Sequence, residues 1–442
     1  MNRGILECFP SLPADAEIHM TPDGGTLFSG LTPVPLHAME ASFLSQCDGR
    51  RRLSDILPTS SNTSDQASFL FFTAQLMKDD FLILSGSPSP RDIRVTGSRR
   101  AYIPPHMSIE LTAGCNLRCR HCYRESGPNR DDGLATGRLI EILEELAHAG
   151  LRSVELTGGE PTFRRDFDLI LSTCVDRFGL VGLLTNGTLI NQDRAERLAA
   201  ARERLFVSIS LDGCTEEAHD LRRGVRGSFR RSCRSIERLA ALGVNVRVAM
   251  CVDEGNYADI ESTLLLAKRL GAVAFSYTPV LPLGRGKEWA SLGWGLDGRE
   301  VWRAEQSLAE RYKGFLATMA IDASGQVNGA DSCGAGYRTC AMDPMGRIRP
   351  CPTFGPNEFV LGNLADQSIE EVFSHPIAFS MARLQWPTPK VCGDCPIALF
   401  CAFCPLRGMR GREEVTECKW AQLPTTGSFL SFAGSSAMER PT

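Results

Sequence analysis

The chain has 442 residues, of which 43% are hydrophobic and 23% are charged, and its formal net charge is −4. This length suits two or three domains of about 150 residues each, and the composition is that of an ordinary globular protein. The negative charge argues against a nucleic-acid partner, since phosphates require a concentrated basic surface. No apolar run is long enough to cross a bilayer, and the N-terminus lacks the features of a secretory signal. We therefore expect a cytoplasmic protein that binds neither nucleic acid nor membranes.

Cysteine is the unusual residue, because the chain contains 17 of them. Without an export signal, so many thiols indicate metal ligation in a reducing compartment rather than disulfides. Most are concentrated in two segments, 115–122 and 333–418. We interpret the others as small buried apolar residues: Cys8, Cys47, Cys174, Cys214, Cys233 and Cys251.

Residues 1–86 have the pattern of a small separate unit. The segment "GTLFSGL" predicts a strand and a turn, "LHAMEASFLSQC" predicts a helix that ends at "DGR", and "LSDIL" begins a short second helix. A third helix and an edge strand follow in "DQASFLFFTAQLMKDDFLIL". The next stretch is rich in Pro, Ser, Gly and Arg, and it predicts a linker over residues 87–105.

Residues 106–310 alternate apolar runs with amphipathic helices such as "GRLIEILEELAHAG". Near-continuous apolar strands of this kind predict a parallel sheet, which places chemistry at the carboxyl ends of its strands. Cysteines or polar, glycine-containing segments follow several of the strands at these ends. The predicted strands cover residues 107–112, 153–158, 182–187, 205–213, 245–252 and 273–279.

The segment "CNLRCRHC" places three thiols, Cys115, Cys119 and Cys122, directly after the first of these strands. A structural zinc site normally has four protein ligands, whereas a [4Fe-4S] cluster held by three thiolates keeps one iron free for an exogenous ligand. The segment "GGEP" (158–161) follows the second strand and offers close backbone approach and a carboxylate for an ammonium group. A zinc site completed by His121 or a distant residue, or a set of reactive thiols, stays open on these residues alone.

Together these motifs resemble the radical S-adenosylmethionine (radical SAM) superfamily: "CNLRCRHC" matches its CxxxCxΦC signature and "GGEP" its methionine-amine motif. The resemblance implies an α/β fold with a partial (β/α)6 TIM-like barrel. It also implies that a reduced cluster on the three cysteines cleaves S-adenosylmethionine to a 5′-deoxyadenosyl radical, which abstracts hydrogen from an unactivated carbon. The cofactor contacts that it implies are His121, Gly158, Gly159, Glu160, Asn186, Ser210 and Arg223.

The cysteines between residues 333 and 418 supply enough thiols for two clusters with four thiolates each. Gly346 lies among them and would allow a tight turn between ligands. Two CxxC pairs alone equally suit a pair of zinc ribbons. The barrel motifs upstream favour iron–sulfur clusters instead.

This region resembles the cysteine-rich SPASM extension of radical SAM enzymes, which implies a domain over residues 311–423 and three [4Fe-4S] clusters in the whole chain. Fully ligated auxiliary clusters would pass electrons rather than bind substrate. Cys404 departs from the family pattern, because two residues rather than three separate it from the preceding thiol. After this domain, residues 424–442 predict a flexible tail. The resemblance assigns one auxiliary cluster to Cys333, Cys340, Cys351 and Cys404, and the outer one to Cys392, Cys395, Cys401 and Cys418.

Residues 1–86 resemble the winged-helix-like leader-recognition domain of ribosomal-peptide (RiPP) maturases, through "FLSQCDGRRRLSDIL". The resemblance implies that the leader of a precursor peptide adds as a strand to the sheet edge of this unit. The alternative is a winged helix that packs on the barrel or mediates dimers.

These resemblances predict a radical SAM oxidoreductase that modifies a leader-bound precursor peptide, giving a thioether or carbon–carbon cross-link or a related product. A flavodoxin- or ferredoxin-type protein would supply electrons. The alternatives are a family member that acts on a small molecule such as a haem precursor, and a non-catalytic iron–sulfur electron-transfer protein. Pro352 stands where sulfatase-maturing relatives carry an acidic residue, which argues against formylglycine formation. No general base is identified, because Asp212, Glu254 and Tyr277 lie at strand ends that equally suit turns and caps.

Overall fold

Two small sheets and four helices form the N-terminal part of the computed structural model, which describes residues 3–29, 32–57, 63–129, 133–288, 306–317 and 332–435. The strands are β1 Phe9–Ser11, β2 Glu17–Thr21, β3 Gly24–Ser29, β4 Thr32–His37, β5 Ile83–Ser85 and β6 Arg94–Gly97. The helices are α1 Arg3–Leu6, α2 Ala38–Leu44, α3 Leu53–Ile56 and α4 Thr63–Lys78. One sheet has the order β4-β3-β2-β6, and the other pairs β1 with β5.

This N-terminal part has a hydrophobic core of its own. Phe43 of α2 and Phe69 of α4 pack edge to face within it, with ring centroids 4.7 Å apart. The strand in "GTLFSGL", the three helices and the edge strand that the sequence predicts are present as β3, α2, α3, α4 and β5. Strands β1 and β4 contain proline, which normally lowers the preference for a strand, and the sequence patterns did not indicate them.

The segment predicted as a linker is partly ordered. Strand β6 lies inside it and pairs in parallel with β2. Directly after β6, Ala101, Tyr102 and Ile103 are buried in the main core, where the Tyr102 ring packs on Phe379 with centroids 5.0 Å apart. The expectation of a linker over the whole of 87–105 is therefore corrected, because three buried side chains anchor its end in the main core.

The six strands predicted for the barrel are confirmed as six neighbouring parallel strands in chain order. Most of the helices between the strands end at a polar or glycine-containing turn that returns the chain to the sheet. The strands are β7 His106–Glu110, β8 Ser153–Thr157, β9 Leu180–Thr185, β10 Leu205–Ser210, β11 Asn245–Val252 and β12 Ala274–Pro279. The helices are α5 Thr136–Ala149, α6 Phe167–Arg177, α7 Gln192–Ala200, α8 Glu216–Arg223, α9 Ser228–Ala241 and α10 Ile260–Arg269.

The cysteine-rich region extends the same sheet. Its strands are β13 Thr339–Met342, β14 Arg347–Arg349 and β15 Gly362–Asn363. Strand β13 pairs in parallel with β7, the strand that leads into Cys115, and β14 and β15 follow in antiparallel order. The pairing of β13 with β7 places the C-terminal cysteines beside the first cysteine loop. The helices are α11 Ile369–Phe373, α12 Pro376–Arg383, α13 Pro389–Cys392, α14 Ala398–Cys401, α15 Pro405–Gly411 and α16 Pro424–Ser435.

Residues 306–317 pack against the far edge of the barrel, where Leu316 forms a bridge with Phe275 of β12. The predicted boundary between residues 310 and 311 falls within this segment. Residues 289–305 and 318–331 lie outside the described residues, and the boundary stays a prediction.

The expectation of a flexible tail after residue 423 is wrong for its first part. Helix α16 packs on α12, and its Thr426 and Phe429 are fully buried. The Phe429 ring stacks on Phe359 with centroids 4.7 Å apart. The helix is ordered because an aromatic residue in a Ser- and Thr-rich stretch finds an apolar partner; residues 436–442 lie outside the described residues. Within the described parts of the chain, we find no helix that combines the length and the apolar character needed to span a membrane.

Candidate active site

Cys115, Cys119 and Cys122 lie on the loop that follows β7, as the sequence predicts. Backbone contacts fix the loop at both ends. Cys115 N donates to Gly127 O at 2.6 Å, and the side chain of Arg285 donates through Nε to Cys119 O at 2.8 Å. Arg285 N also donates to Cys122 O at 3.0 Å. The loop after β12 therefore holds the cysteine loop in place.

Two of the three thiols on this loop are desolvated. Burial raises the pKa of Cys115 to about 12 and raises the pKa of Cys119, where the nearby charge of Arg223 opposes the rise. Arg223 Nη1 lies 3.7 Å from Cys119 Sγ. Buried thiols of this kind are poor nucleophiles, and coordination to a metal is what removes their protons. The loop therefore fits an iron–sulfur cluster better than a set of reactive thiols.

The "GGEP" loop after β8 lies directly on the cysteine loop. Gly159 N donates to Thr112 O at 2.7 Å, and Glu160 N donates to Gly114 O at 2.9 Å. A Cβ on Gly159 would lie 2.1 Å from Gly114 O, and Gly158 has a φ of +129° that favours glycine. Both glycines are required for this close approach to the cysteine loop, and the predicted approach of their backbone to a cofactor stays a prediction.

The Glu160 carboxylate is fully buried and binds groups of its own chain. It accepts hydrogen bonds from Thr162 N at 3.1 Å, Thr185 Oγ1 at 2.6 Å and Asn186 N at 2.7 Å, and also from Thr162 Oγ1. Burial raises its pKa, and these hydrogen bonds oppose the rise. Glu160 thus joins the ends of β8 and β9, and its contact with an ammonium group stays a prediction.

Asn186 connects this network to the cysteines. Its Nδ2 donates to Asn116 Oδ1 at 2.9 Å and lies 3.9 Å from Cys115 Sγ. Ser210 is the half-buried last residue of β10. The structure thus brings the predicted cofactor residues to one edge of the sheet.

A buried polar cluster around Asp212 completes this edge. Arg223 Nε lies 2.7 Å from Asp212 Oδ2, and His121 Nε2 lies 3.5 Å from the same oxygen. His219 Nδ1 accepts a hydrogen bond from Asp212 N at 3.1 Å. Cys251 offers a further possible ligand within 4.8 Å of His121 and Asp212. Because Arg223 already neutralises Asp212, the cluster does not favour a cation.

The pKa values of the ionisable groups in this cluster are strongly shifted. Burial opposes ionisation of Asp212, but the charge of Arg223 prevails and lowers the pKa of Asp212 to about 2. Burial lowers the pKa of His121 and of His219 to about 4 each. At neutral pH both histidines are therefore neutral. His121 Nδ1 has no hydrogen-bond partner among the described residues, so it can accept or donate a bond to a bound cofactor.

All 17 cysteines fall within the described residues, and all are free thiols. The C-terminal ones form two groups of neighbours. In the first group, burial raises the pKa of Cys333 to about 12, and the nearby Cys404 and Cys351 add to the rise. Burial also raises the pKa of Cys340, to which Cys351 contributes. These are the four thiols that the resemblance assigns to the nearer auxiliary cluster.

In the second group, burial raises the pKa of Cys401 to about 12, with added effects of Cys392, Cys395 and Cys418. Burial likewise raises the pKa of Cys392, with contributions from Cys395 and Cys418. Cys404 also lies near Cys401, so the two groups are adjacent.

The short spacing between Cys401 and Cys404 is accommodated by the backbone of Phe403. This residue has a φ of +58°, which costs about 1 kcal/mol for a residue other than glycine. Its N–H donates to Pro387 O at 2.8 Å, and its side chain is buried. The resulting turn lets Cys404 reach the first group while Cys401 stays in the second.

The family follows from sequence comparison. Residues 109–267 match the model of the radical SAM superfamily, and residues 333–396 match the SPASM iron–sulfur cluster-binding domain. The mycofactocin maturase MftC of Mycobacterium tuberculosis is 34% identical over 316 residues, which cover 70% of this chain and 80% of MftC. This chain belongs to the radical SAM superfamily. It is an enzyme that uses S-adenosylmethionine and iron–sulfur clusters.

Two other proteins are similar to this radical SAM enzyme over nearly its whole length. The antilisterial bacteriocin subtilosin biosynthesis protein AlbA of Bacillus subtilis is 29% identical over 440 residues, covering 95% of this chain and 97% of AlbA. The crystal structure of Streptococcus suis SuiB bound to precursor peptide SuiA has a TM-score of 0.65 at 18% identity, covering 94% of this chain and 100% of SuiB. The predicted α/β fold, with its partial barrel and cysteine-rich C-terminal domain, is thereby confirmed.

Sequence reasoning missed a buried ion-pair cluster in this radical SAM enzyme. Glu110, the last residue of β7, accepts from Arg349 Nη2 at 2.6 Å and from Arg124 at the same oxygen. Tyr123 OH lies 3.5 Å from its other oxygen. The charged Glu110 inside the apolar run "MSIELT" could have indicated this cluster, because a buried carboxylate requires a partner. The pairs tie β7 to the cysteine loop and to β14.

A cavity of about 830 Å³ opens beside this ion-pair cluster, between the barrel and the SPASM domain. Its walls come from residues that directly follow Cys122, from the loop after β12 and from residues that follow Cys351. The cavity therefore lies between the first cysteine loop and the nearer auxiliary group. Its lining includes Tyr123, Arg124, Gly284, Arg349 and Thr353.

Proposed function

We propose that this radical SAM enzyme is a peptide maturase that abstracts a hydrogen atom from a residue of a leader-bound precursor peptide. The product would be an oxidative cross-link, either a thioether or a carbon–carbon bond, or a related modification. The observation that carries the proposal is a cavity that lies between two of the cysteine sites. Residues directly after Cys122 line one side of it, and residues directly after Cys351 line another.

The cofactor site is assigned as the sequence suggests. Cys115, Cys119 and Cys122 would hold the [4Fe-4S] cluster that binds S-adenosylmethionine, because they share one short loop at the end of β7. When bound, the reduced cluster and S-adenosylmethionine supply a carbon-centred radical for hydrogen abstraction. The chain would contact S-adenosylmethionine through His121, Gly158, Gly159, Glu160, Asn186, Ser210 and Arg223.

The two SPASM thiol groups would hold two auxiliary [4Fe-4S] clusters, which gives three clusters in all. Their adjacency suits a relay that accepts an electron when the substrate radical is oxidised. A flavodoxin- or ferredoxin-type protein would reduce the first cluster. Such a system requires the reducing cytoplasm, which agrees with 17 free thiols. The nearer cluster would be held by Cys333, Cys340, Cys351 and Cys404, and the outer one by Cys392, Cys395, Cys401 and Cys418.

Residues 1–86 would bind the leader as an added strand. The sheet β4-β3-β2-β6 ends in an edge strand on both sides, which strand addition requires. AlbA is a biosynthesis protein of a bacteriocin, and SuiB is described with a bound precursor peptide; both similarities span this N-terminal part. The proposed domains are residues 1–86 for the leader, 106–310 for the barrel and 311–423 for the clusters.

The test is anaerobic incubation of the reconstituted enzyme with reductant, S-adenosylmethionine and a precursor peptide encoded beside its gene. We expect 5′-deoxyadenosine to form and the core peptide to lose two hydrogen atoms for each cross-link, measured by mass spectrometry. Cys119→Ala is the control, and it should abolish both products.

Peptide left unmodified while 5′-deoxyadenosine forms would point to another substrate, for which a haem precursor is the first to try. Absence of 5′-deoxyadenosine from the fully loaded, reduced enzyme would contradict the proposal and favour a non-catalytic electron-transfer protein.

A further inference from the structure

The inner end of the cavity between barrel and SPASM domain carries an unbalanced positive charge. Arg124 and Arg349 both donate to one carboxylate, that of Glu110. Two guanidinium groups and one carboxylate leave one positive charge in excess. The side chain of Arg349 is 2% exposed and that of Glu110 is fully buried. An excess charge at such depth is costly unless an anion joins it.

The two arginines also retain unused donors. The Nε atoms of Arg124 and Arg349 are buried, and they have no hydrogen-bond partner among the described residues. Both residues line the cavity, so a ligand inside it lies beside them. The fork of N–H groups on a guanidinium matches the two oxygens of a carboxylate.

Other charged residues that line the cavity do not cancel this excess. Arg410 is paired with Glu358 at 2.6 Å. The remaining charged residues are exposed at the rim, where water and salt screen them. These exposed residues are Glu125, Lys287, Glu413 and Glu414.

The geometry points to a carboxylate-binding subsite: Arg124 and Arg349 hold a carboxylate of the substrate peptide at the inner end of the cavity. This inference rests on the proposed function and specifies its substrate, a core peptide with an acidic group near the modified residue. The carboxylate is either an Asp or Glu side chain or the C-terminus of the peptide. The competing explanation is that the excess charge offsets the thiolates of clusters at the neighbouring Cys122 and Cys351.

Binding of short probe peptides to the cluster-loaded enzyme with S-adenosylmethionine tests the subsite directly. One probe is acetyl-Gly-Gly-Asp-Gly-Gly-amide, a second is acetyl-Gly-Gly-Ala-Gly-Gly with a free C-terminus, and the neutral control is acetyl-Gly-Gly-Asn-Gly-Gly-amide. We expect at least one carboxylate probe to bind about tenfold more tightly than the control, measured by anaerobic calorimetry. The probe that binds more tightly identifies the source of the carboxylate. Equal affinity for all three probes would overturn the subsite without any variant.

Variants identify the residues involved. Arg124→Gln removes the excess charge and leaves the pair of Glu110 and Arg349 intact, so it should abolish the preference for a carboxylate. Arg124→Lys should retain part of it. Arg230→Gln is the control, because Arg230 is an exposed arginine that does not line the cavity. An unchanged preference in Arg124→Gln would overturn the assignment.

Two further measurements separate the explanations. If Arg124→Gln shifts the reduction potential of a cluster but leaves the carboxylate preference intact, the charge serves the clusters and the inference is overturned. Modification of the precursor peptide, measured by mass spectrometry, reports on the proposed function independently. If the wild-type enzyme modifies the peptide but does not prefer carboxylate probes, the subsite is overturned and the proposed function stands. If it does neither, both are overturned.

Discussion

Asp212 is the residue on which the cofactor side of the site depends. It is fully buried, and Arg223 at 2.7 Å keeps its pKa at about 2. A carboxylate with so low a pKa is a poor general base at neutral pH. We therefore interpret Asp212 as a positioning residue, which holds Arg223 beside Cys119 and faces His121. The sequence indicated its place at a strand end but not this partnership.

Loss of Arg223 should destabilise the protein strongly. Arg223→Gln would leave Asp212 charged and unpaired in the interior, and we expect the free energy of unfolding to fall by about 3–5 kcal/mol. Anaerobic urea denaturation measures this change. Arg230→Gln is the control, because Arg230 is 69% exposed in its pair with Glu216 and should cost less than about 1 kcal/mol. Equal losses in the two variants would contradict the prediction.

Stability should fall with acid through the buried histidines. His121 and His219 have their pKa lowered from 6.5 to about 4, so between these values the unfolded chain binds more protons than the folded one. Stability is therefore lost as the pH falls through this window. We expect a loss of about 2 kcal/mol for each histidine between about pH 7 and about pH 5.

The variant His219→Gln tests this histidine term. Glutamine keeps an acceptor for the N–H of Asp212, and the variant should show a smaller drop in the urea midpoint between the two pH values than the wild type. An identical drop would show that His219 does not contribute.

At the scale of elements, loops at strand ends form the site because their backbones fit closely together. The loop after β8 rests on the loop after β7 through Gly159, and the loop after β12 is hydrogen-bonded to the cysteine loop through Arg285. The six barrel strands could be predicted because they are apolar runs between amphipathic helices. Strand β6 and helix α16 could not, because each has few apolar residues and depends on distant partners such as β2 and Phe359.

Gly159→Ala should separate cluster assembly from catalysis. The added Cβ would lie 2.1 Å from Gly114 O, so the "GGEP" loop must move away from the cysteine loop. We expect formation of 5′-deoxyadenosine to fall about 100-fold, because a displacement of about 1 Å is enough for such a loss. Iron content should stay unchanged, since the cysteines are not altered.

The matched control for this variant is Gly137→Ala in α5, where the added Cβ meets nothing within 4 Å. It should retain wild-type activity. Activity of Gly159→Ala equal to that of Gly137→Ala would refute the role given to this contact.

At the scale of the whole molecule, one continuous sheet sets the arrangement of the cysteine sites. Strand β13 adds to β7 in parallel, so the SPASM domain begins beside the strand that carries the first cysteine loop. The ion pair of Glu110 with Arg349 closes the same junction from the inside. Helix α16 then covers the cysteine-rich domain, and Trp420 Nε1 donates to Gln385 O at 2.7 Å beside it.

Helix α16 should contribute to the stability of the whole enzyme. Phe429→Ala removes a fully buried ring that stacks on Phe359, and we expect a loss of about 3 kcal/mol or more in the free energy of unfolding. Ser431→Ala, on the exposed side of the same helix, should change it by less than about 0.5 kcal/mol. Anaerobic urea denaturation of both variants gives the comparison, and a loss below 1 kcal/mol in Phe429→Ala would mean that the C-terminal helix is dispensable.

The sequence by itself determined the chemistry of this protein, because three thiols in eight residues and a "GGEP" loop at the next strand end are local patterns with few other uses. It also determined the barrel, since strand and helix periodicities are local. The tertiary structure decided which charges face each other. Arg349 lies more than 200 residues after Glu110 and Arg124, and it meets them because β13 pairs with β7 and brings β14 over the cysteine loop. Long-range pairing of this kind leaves no periodic pattern in the sequence. The sequence therefore does not predict the cavity that the pairing creates.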